Sequence, residues 1–506
     1  MISKNEIKSF LSKEPYFEDI MCSLQSGPKM PKAIVKETQQ LLAYVRKFKE
    51  EYIKPNSLAI DQKCQENHDM LPLDIMDEVN KWGFYTMWLP KAVGGRGYNM
   101  LGVGLCFEEL SSECLGITNV IGVHYLGVMT LAMSLNIRLM TRILGDVVRG
   151  EKEGKPCLLS LAITEPEAGT DVEEVALVDK GRITCRAEKV DGGYIVNGRK
   201  IFISMGHVST WHMLIAYEDL KHPSETMLML AVKTGMKGFS FGRQEMKMGQ
   251  KACPASELIF EDCFVPDDLV CCDTTMIKGF SKPIKIINEM LIDIVTGASR
   301  AGVGAMGIGV ARGALEDSVK FASKTEINGK LLINHEWAQC MLAEMYKNVN
   351  VGRAAYMESI YVNGLYSLMK SLQFKPLYYY LKYMPTFLLR LFVYPFMNVS
   401  FIANFLSNRI RKLLYNTDFF KHDEMQRVSG WGSLAKFVGT DIGIKNCHMA
   451  IELMGQAGIR HDMQVEKRLR DSKLLQIYEG TNQLNRLNLF KCLVGREIPS
   501  VKIFED

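Results

Sequence analysis

The sequence predicts an α+β protein in three parts: an N-terminal helical domain, a central antiparallel β domain and a C-terminal helical bundle. Apolar residues recur every three to four positions from about residue 35 to 155, which is helical spacing. Short β-rich runs punctuated by turn formers fill 156 to 270, and helical spacing returns from 278 to 495. A chain of 506 residues, 47% of them hydrophobic, can bury a large core and divide into two to four folded units without a metal or disulfide staple.

In the first part, AIVKETQQLLAYVRKFKEEY and LPLDIMDEVNKWGF carry the helical repeat. The second part reads CLLSLAIT, RITCRAEKV, YIVNG, KIFIS, WHMLIAY, TMLMLAVKT and ELIFEDCFVP, with Asp191-Gly192-Gly193 and Asn197-Gly198 as turns. In the third, GVARGALEDSVKFASK, EWAQCMLAEMYKNVNVGRAAYMESIYVNG and GSLAKFVGTDIGIKNCHMAIELMG return to helix. Residues 366–420 differ in composition, being rich in aromatics with Lys and Arg interleaved, and read as an insertion. Its longest uncharged run, Leu391 to Asn408, holds Pro395 and three Asn, which argues against a membrane-spanning helix. Packing against the helical domain or a subunit interface is one reading; peripheral membrane contact, or an extension of a substrate tunnel, is the other.

With 61 basic and 57 acidic residues the net charge is +4, so no global field points to nucleic acid as a partner. Thirteen cysteines lack CxxC or metal-ligand spacing, and the nine histidines show no metal pattern, so no metal site is expected. The charged N-terminus MISKNEIKSFLSKEP lacks the apolar core of a signal peptide, and a cytoplasmic location is the expectation.

Three segments carry candidate chemistry. Leu161-Ala-Ile163-Thr164-Glu-Pro-Glu-Ala-Gly169-Thr170-Asp171 follows a β run and suits a loop where backbone closely approaches a planar or phosphorylated ligand, although alone it is more often a plain turn. Asn197-Gly198-Arg-Lys-Ile-Phe202-Ile203-Ser204 is a turn entering a strand whose alternation places Phe202 and Ser204 on one face, as stacking on and hydrogen bonding to an isoalloxazine would need; out of context Phe202 would be core. In Tyr478-Glu479-Gly480-Thr481-Asn-Gln483 a lone carboxylate follows an apolar stretch, where a raised pKa would make it a base, against the plainer reading of a solvated helix-end Glu.

Together, in this order and spacing, these segments resemble the acyl-CoA dehydrogenase family over residues 35–495, the insertion excepted. Pro90-Lys-Ala-Val-Gly-Gly-Arg-Gly97, Lys247-Met-Gly249, Phe260-Glu-Asp-Cys-Phe-Val-Pro266 and Met341-Leu-Ala-Glu-Met345 add to the resemblance. It implies FAD as cofactor, held by Leu161, Ile163, Thr164, Gly169, Thr170, Phe202, Ile203 and Ser204, with Thr481 and Gln483 completing the site. It implies an acyl-CoA substrate near Thr170, Arg300 and Gly480, and Glu479 as the base that removes the α-proton while the β-hydrogen leaves as hydride to flavin N5. Electrons would pass to an electron-transfer protein, or to oxygen in an acyl-CoA oxidase, and the chain would form a homodimer or homotetramer. The resemblance departs where the family commonly holds the flavin pyrophosphate and adenine from a partner subunit: Thr325, Asn328, Glu336 and Glu452-Leu-Met-Gly-Gln456 stand there, and Gly297 replaces an Asp on the CoA side.

Two other readings carry less. Gly302-Val-Gly304-Ala-Met-Gly307 matches GxGxxG, but its surroundings are helical and small residues for close helix packing explain it better than a dinucleotide turn. Tyr378 and Lys382 have YxxxK spacing but lie in the insertion, where it reads as coincidence. A non-catalytic member acting as a scaffold or membrane adaptor is the remaining alternative, and retention of Glu479-Gly480-Thr481 argues against it.

Overall fold

The computed structural model describes residues 3–13, 31–367, 370, 373–495, 498 and 500–505. The N-terminal part holds helices α1 (Lys4–Leu11), α2 (Ala33–Phe48), α3 (Lys54–Glu66), α4 (Leu73–Lys81), α5 (Val103–Ser111), α6 (Leu115–Met133) and α7 (Ile137–Glu153). A π turn over Lys49–Ile53 joins α2 to α3, and Gly154, in the left-handed conformation, ends α7.

The middle part is one twisted sheet of β1 (Leu159–Ala162), β2 (Arg186–Val190), β3 (Gly193–Ser204), β4 (Trp211–Tyr217), β5 (Met227–Lys233), β6 (Phe239–Gln244), β7 (Ala255–Pro266) and β8 (Val270–Cys272), in the order β6-β7-β3-β2-β4-β5-β8. Most pairs are antiparallel as expected, but β1 runs parallel to β4 and so does the start of β2, which makes the sheet mixed. The reason is the connection. The chain leaving β1 passes through the 163–185 loop and the β2–β3 hairpin before it re-enters as β4, and a crossover of that length permits parallel pairing. The register of β3 on β7 slips between Lys200 and Ile203, and Phe202 there takes φ +55°. This bulge aims the Phe202 ring away from the core.

The C-terminal part holds α8 (Ile284–Ala322), α9 (Glu336–Tyr366), α14 (His422–Met454), α15 (Gln464–Leu475) and α16 (Asn482–Leu489); between α9 and α14 come α10 (Lys375–Tyr383), α11 (Thr386–Phe392), α12 (Tyr394–Asn398) and α13 (Ser400–Asn416). The GxGxxG sequence lies in the middle of α8, where its glycines let α14 approach to backbone contact. A Cβ on Gly304 would stand 2.4 Å from the Ala435 carbonyl oxygen, one on Gly307 2.5 Å from that of Gly439, and one on Gly432 2.5 Å from that of Gly297. Helix packing is therefore the role of this motif, and of Gly297 as well.

A buried ion cluster ties the first part to the third. Glu108 meets Arg353 at 2.7 Å and Arg312 at 3.4 Å, and Glu109 meets Arg46 at 2.8 Å and Lys49 at 2.6 Å. These guanidinium and ammonium groups hold both carboxyls below their ordinary range against the cost of burial. Removing one partner would leave an uncompensated buried charge, so the cluster fixes α5 against α2, α8 and α9.

The insertion folds as short helices, as its prolines require: Pro376 and Pro395 sit in first turns and Pro385 immediately precedes α11. It reaches across to the N-terminal part. Lys382 and Tyr378 both bind Glu37, at 2.6 and 3.1 Å, which accounts for the YxxxK pair without chemistry. Among the described residues two helices, α6 and α8, are long and apolar enough to cross a membrane by length and composition, and both are mostly buried within the protein.

Adding side chains at the helix contact should be costly. Gly304→Val or Gly439→Val is expected to lower unfolding stability by about 1–3 kcal/mol or more, measured by urea denaturation; an unchanged midpoint would mean the backbones do not meet there.

Candidate active site

A cavity of about 810 Å³ lies where the three parts meet, a volume in the range of small-molecule and cofactor sites. Its helical wall is apolar, with Phe107 from α5, Met129 and Met133 from α6, Met306 from α8 and Ile360 from α9. Its other wall comes from the 163–170 loop and the end of β3, and Glu479 stands on its rim.

Glu479 ends the segment after α15 and takes φ +55°, followed by Gly480 at φ +74°. Two successive left-handed residues make a sharp turn, and a glutamate in that region is held there by its surroundings. Arg300 Nε donates to the Glu479 carbonyl at 3.1 Å, Lys436 Nζ to the Gly480 carbonyl at 2.7 Å, and Asn485 Nδ2 to the Glu479, Gly480 and Thr481 carbonyls at 3.2, 2.9 and 3.0 Å. Thr481 then caps α16 by accepting the Leu484 N–H. The Glu479 side chain accepts one hydrogen bond, from Ser299 Oγ to Oε2 at 2.6 Å. Burial pushes its carboxyl up from the ordinary carboxylate range, opposed by that hydrogen bond and by the charges of Arg300 and Lys436.

Three further groups complete the cluster, and sequence reasoning missed them as functional. Glu173, two residues beyond the 161–171 segment, places Oε2 3.5 Å from Arg300 and lies beside the Gly480 backbone. Burial and the neighbouring Glu479 charge push Glu173 up to about 7. Burial pulls Lys436 down to about 7, with the Glu173 carboxyl opposing. Ser299 adjoins Arg300 in sequence, which was the one available signal for it. Glu173 and Lys436 carried none, because a loop carboxylate and a helical Lys are ordinarily solvated.

On the opposite wall Phe202 is 53% exposed, an unusual state for a large aromatic in a strand, and Ile163, Thr164 and Ser204 line the cavity with it. A flat ring system laid against this wall would cover Phe202 and meet the Thr164 and Ser204 hydroxyls, so these residues fit the isoalloxazine end of FAD. Leu161, Gly169, Thr170, Ile203, Glu479 and Thr481 also line the cavity. Arg300 and Gly480 stand behind the Glu479 turn, and Gln483 is exposed on α16. Thr325 is partly exposed, and Asn328, Glu336, Glu452 and Gln456 are exposed; all five lie away from the cavity lining of the single chain. Among the described residues none from 366–420 lines this cavity. No cluster of potential metal ligands occurs among the described residues.

Fold and site together define a three-domain protein with a raised carboxyl on an apolar cavity. The sequence matches the acyl-CoA dehydrogenase N-terminal domain over residues 35–151, the middle domain over 160–263 and the C-terminal domain over 295–363 and 409–493. The chain belongs to the acyl-CoA dehydrogenase family. Relatives include a probable acyl-CoA dehydrogenase FadE25 of Mycobacterium leprae, 24% identical over 90% of this chain and 95% of its own. The caffeyl-CoA reductase-Etf complex subunit CarC of Acetobacterium woodii is also 24% identical, over 83% and 90%. The butyryl-CoA dehydrogenase structure from Megasphaera elsdenii superposes with a TM-score of 0.67 at 21% identity, covering 90% of this chain and 98% of that one.

Because Glu173 binds its proton more tightly folded than unfolded, its ionisation destabilises the fold as pH rises from about 4.5, the ordinary glutamate value, to about 7. Glu173→Gln should therefore gain stability relative to wild type across that window, in parallel denaturant titrations at pH 4.5 and 8; a difference independent of pH would remove Glu173 from the titrating cluster.

Proposed function

We propose that the protein oxidises the Cα–Cβ bond of an acyl-CoA thioester to the α,β-unsaturated thioester, with FAD as oxidant and Glu479 as the base. The observation that carries this reading is the placement of the Glu479 carboxyl, raised by burial, on the rim of an apolar cavity whose other wall displays Phe202. Family membership supports the class of chemistry. Bound FAD would supply the acceptor for the hydride that leaves Cβ, at Ile163, Thr164, Phe202 and Ser204.

The chain's own residues prepare the proton transfer. The Glu479 carboxylate takes the α-proton, forming an O–H bond as the C–H bond breaks. Ser299 holds Oε2, which leaves Oε1 toward the substrate and fixes the rotamer. Arg300, Lys436 and Asn485 fix the backbone on either side, so the carboxyl does not have to be ordered during the reaction. Water-poor surroundings raise the basicity of the carboxylate toward the pH at which it acts. The methionine-lined wall suits an acyl tail, since flexible thioether side chains adapt to the chain they meet.

An electron-transfer flavoprotein is the proposed acceptor of the electrons. Support comes from the CarC relative, which is named as part of an Etf complex. A homodimer or homotetramer is proposed, with the exposed hairpin of Glu326–Ile327 and Lys330–Leu331 free to meet a second copy.

Glu479→Gln should lower kcat by roughly 100- to 10,000-fold with FAD retained, and wild-type kcat/KM should rise with pH through a midpoint above the usual carboxylate range; near-normal turnover of the variant would exclude Glu479 as the base. Met129→Trp, which fills the apolar wall, should lower kcat/KM for long acyl thioesters by roughly tenfold or more relative to short ones; an equal loss for both would place the acyl tail elsewhere.

A further inference from the structure

We propose that helices α10 to α13 form a docking surface that holds the protein peripherally on an anionic lipid bilayer. The segment is an addition to the family framework, since the C-terminal domain match stops at residue 363 and resumes at 409. It also leaves large apolar side chains exposed on its outer face, which an ordinary surface helix does not. On α13 the face turned to the protein carries Ala403, Ser407, Arg411, Leu414 and Tyr415, and the face turned to solvent carries Phe401, Phe405 and Leu413, with Phe401 81% exposed. The inner polar groups act as anchors: Ser407 Oγ accepts the Ile137 N–H at 3.1 Å and Arg411 donates to the Ser134 carbonyl at 2.8 Å. A helix in contact with water on that outer face would be expected to carry polar side chains there.

α11 likewise exposes Phe387, Leu391 and Phe392 and buries Leu389. Contiguous exposed apolar surface of this kind marks a binding face. Its charge identifies the occupant. No Asp or Glu occurs from residue 359 to 417, in a chain with 57 acidic residues, whereas Arg390, Arg409 and Lys412 are exposed on α11 and α13. Two copies packing through this face would bring like charges together. Anionic headgroups complement the cations while the aromatic and aliphatic side chains enter the acyl boundary. α10 to α12 are too short to span the bilayer and α13 carries Arg409, Arg411 and Lys412, so the helices lie in the interface. Because none of this segment lines the cavity, docking and turnover are separable.

The test is co-sedimentation of the full FAD-loaded chain with vesicles of phosphatidylcholine plus phosphatidylglycerol, and of phosphatidylcholine alone, at low and high salt. Wild type should bind the anionic vesicles, less at high salt. Arg409→Gln and Lys412→Gln should each weaken binding roughly fivefold, and Phe401→Asp with Phe405→Asp should abolish it, with thermal melts and turnover of a short acyl thioester unchanged. The proposal is overturned if wild type sediments with neither vesicle. It is also overturned if the phenylalanine variant instead converts a larger oligomer to a smaller one while vesicle binding persists.

Discussion

The near-contact of two helix backbones is the constraint on which the rest of the structure depends. Gly297, Gly304 and Gly307 on α8 meet α14 along Gly432, Ala435 and Gly439 at distances that admit no side chain. That contact brings Ser299 and Arg300 on one helix beside Ser433 and Lys436 on the other, with Arg300 donating to Ser433 Oγ at 3.3 Å. The paired cations then grip the carbonyls of Glu479 and Gly480 from two sides. The left-handed turn that presents the carboxyl is thus a consequence of helix packing several turns long, and its strain is offset by contacts the turn itself does not provide.

The electrostatics follow from the same geometry. Two carboxyls, one ammonium and one guanidinium share a space with little water, so each raises or lowers the others' affinity for protons. Burial favours the neutral forms of the carboxyls, and Arg300 beside them opposes it. The Glu479 carboxyl is thereby raised above a surface glutamate, by burial.

Much of this was legible in the sequence, for physical reasons that differ by element. The long helices announced themselves by apolar period, and the GxGxxG run was readable as packing because helical spacing continued through it. Strand alternation predicted Phe202 and Ser204 on one face, but Ile201, Phe202, Ile203 and Ser204 all line the cavity across a bulge that depends on register with β7, a long-range property. The parallel placement of β1 depended likewise on a crossover that no local pattern encodes. Glu173 and Lys436 were illegible because their chemistry comes from burial by segments more than two hundred residues apart. For the insertion, composition suggested an interfacial element, and only the fold showed which face of each helix is left uncovered.

The account's central claim is that this cavity joins a flavin to a thioester beside Glu479. Anaerobic addition of acyl-CoAs of increasing length to the FAD-loaded protein, followed by absorbance near ~450 nm, the oxidised flavin band, tests it most directly. The account predicts bleaching by at least one acyl-CoA in wild type and none in Glu479→Gln. FAD that fails to bind, or flavin that no acyl-CoA reduces, would contradict it.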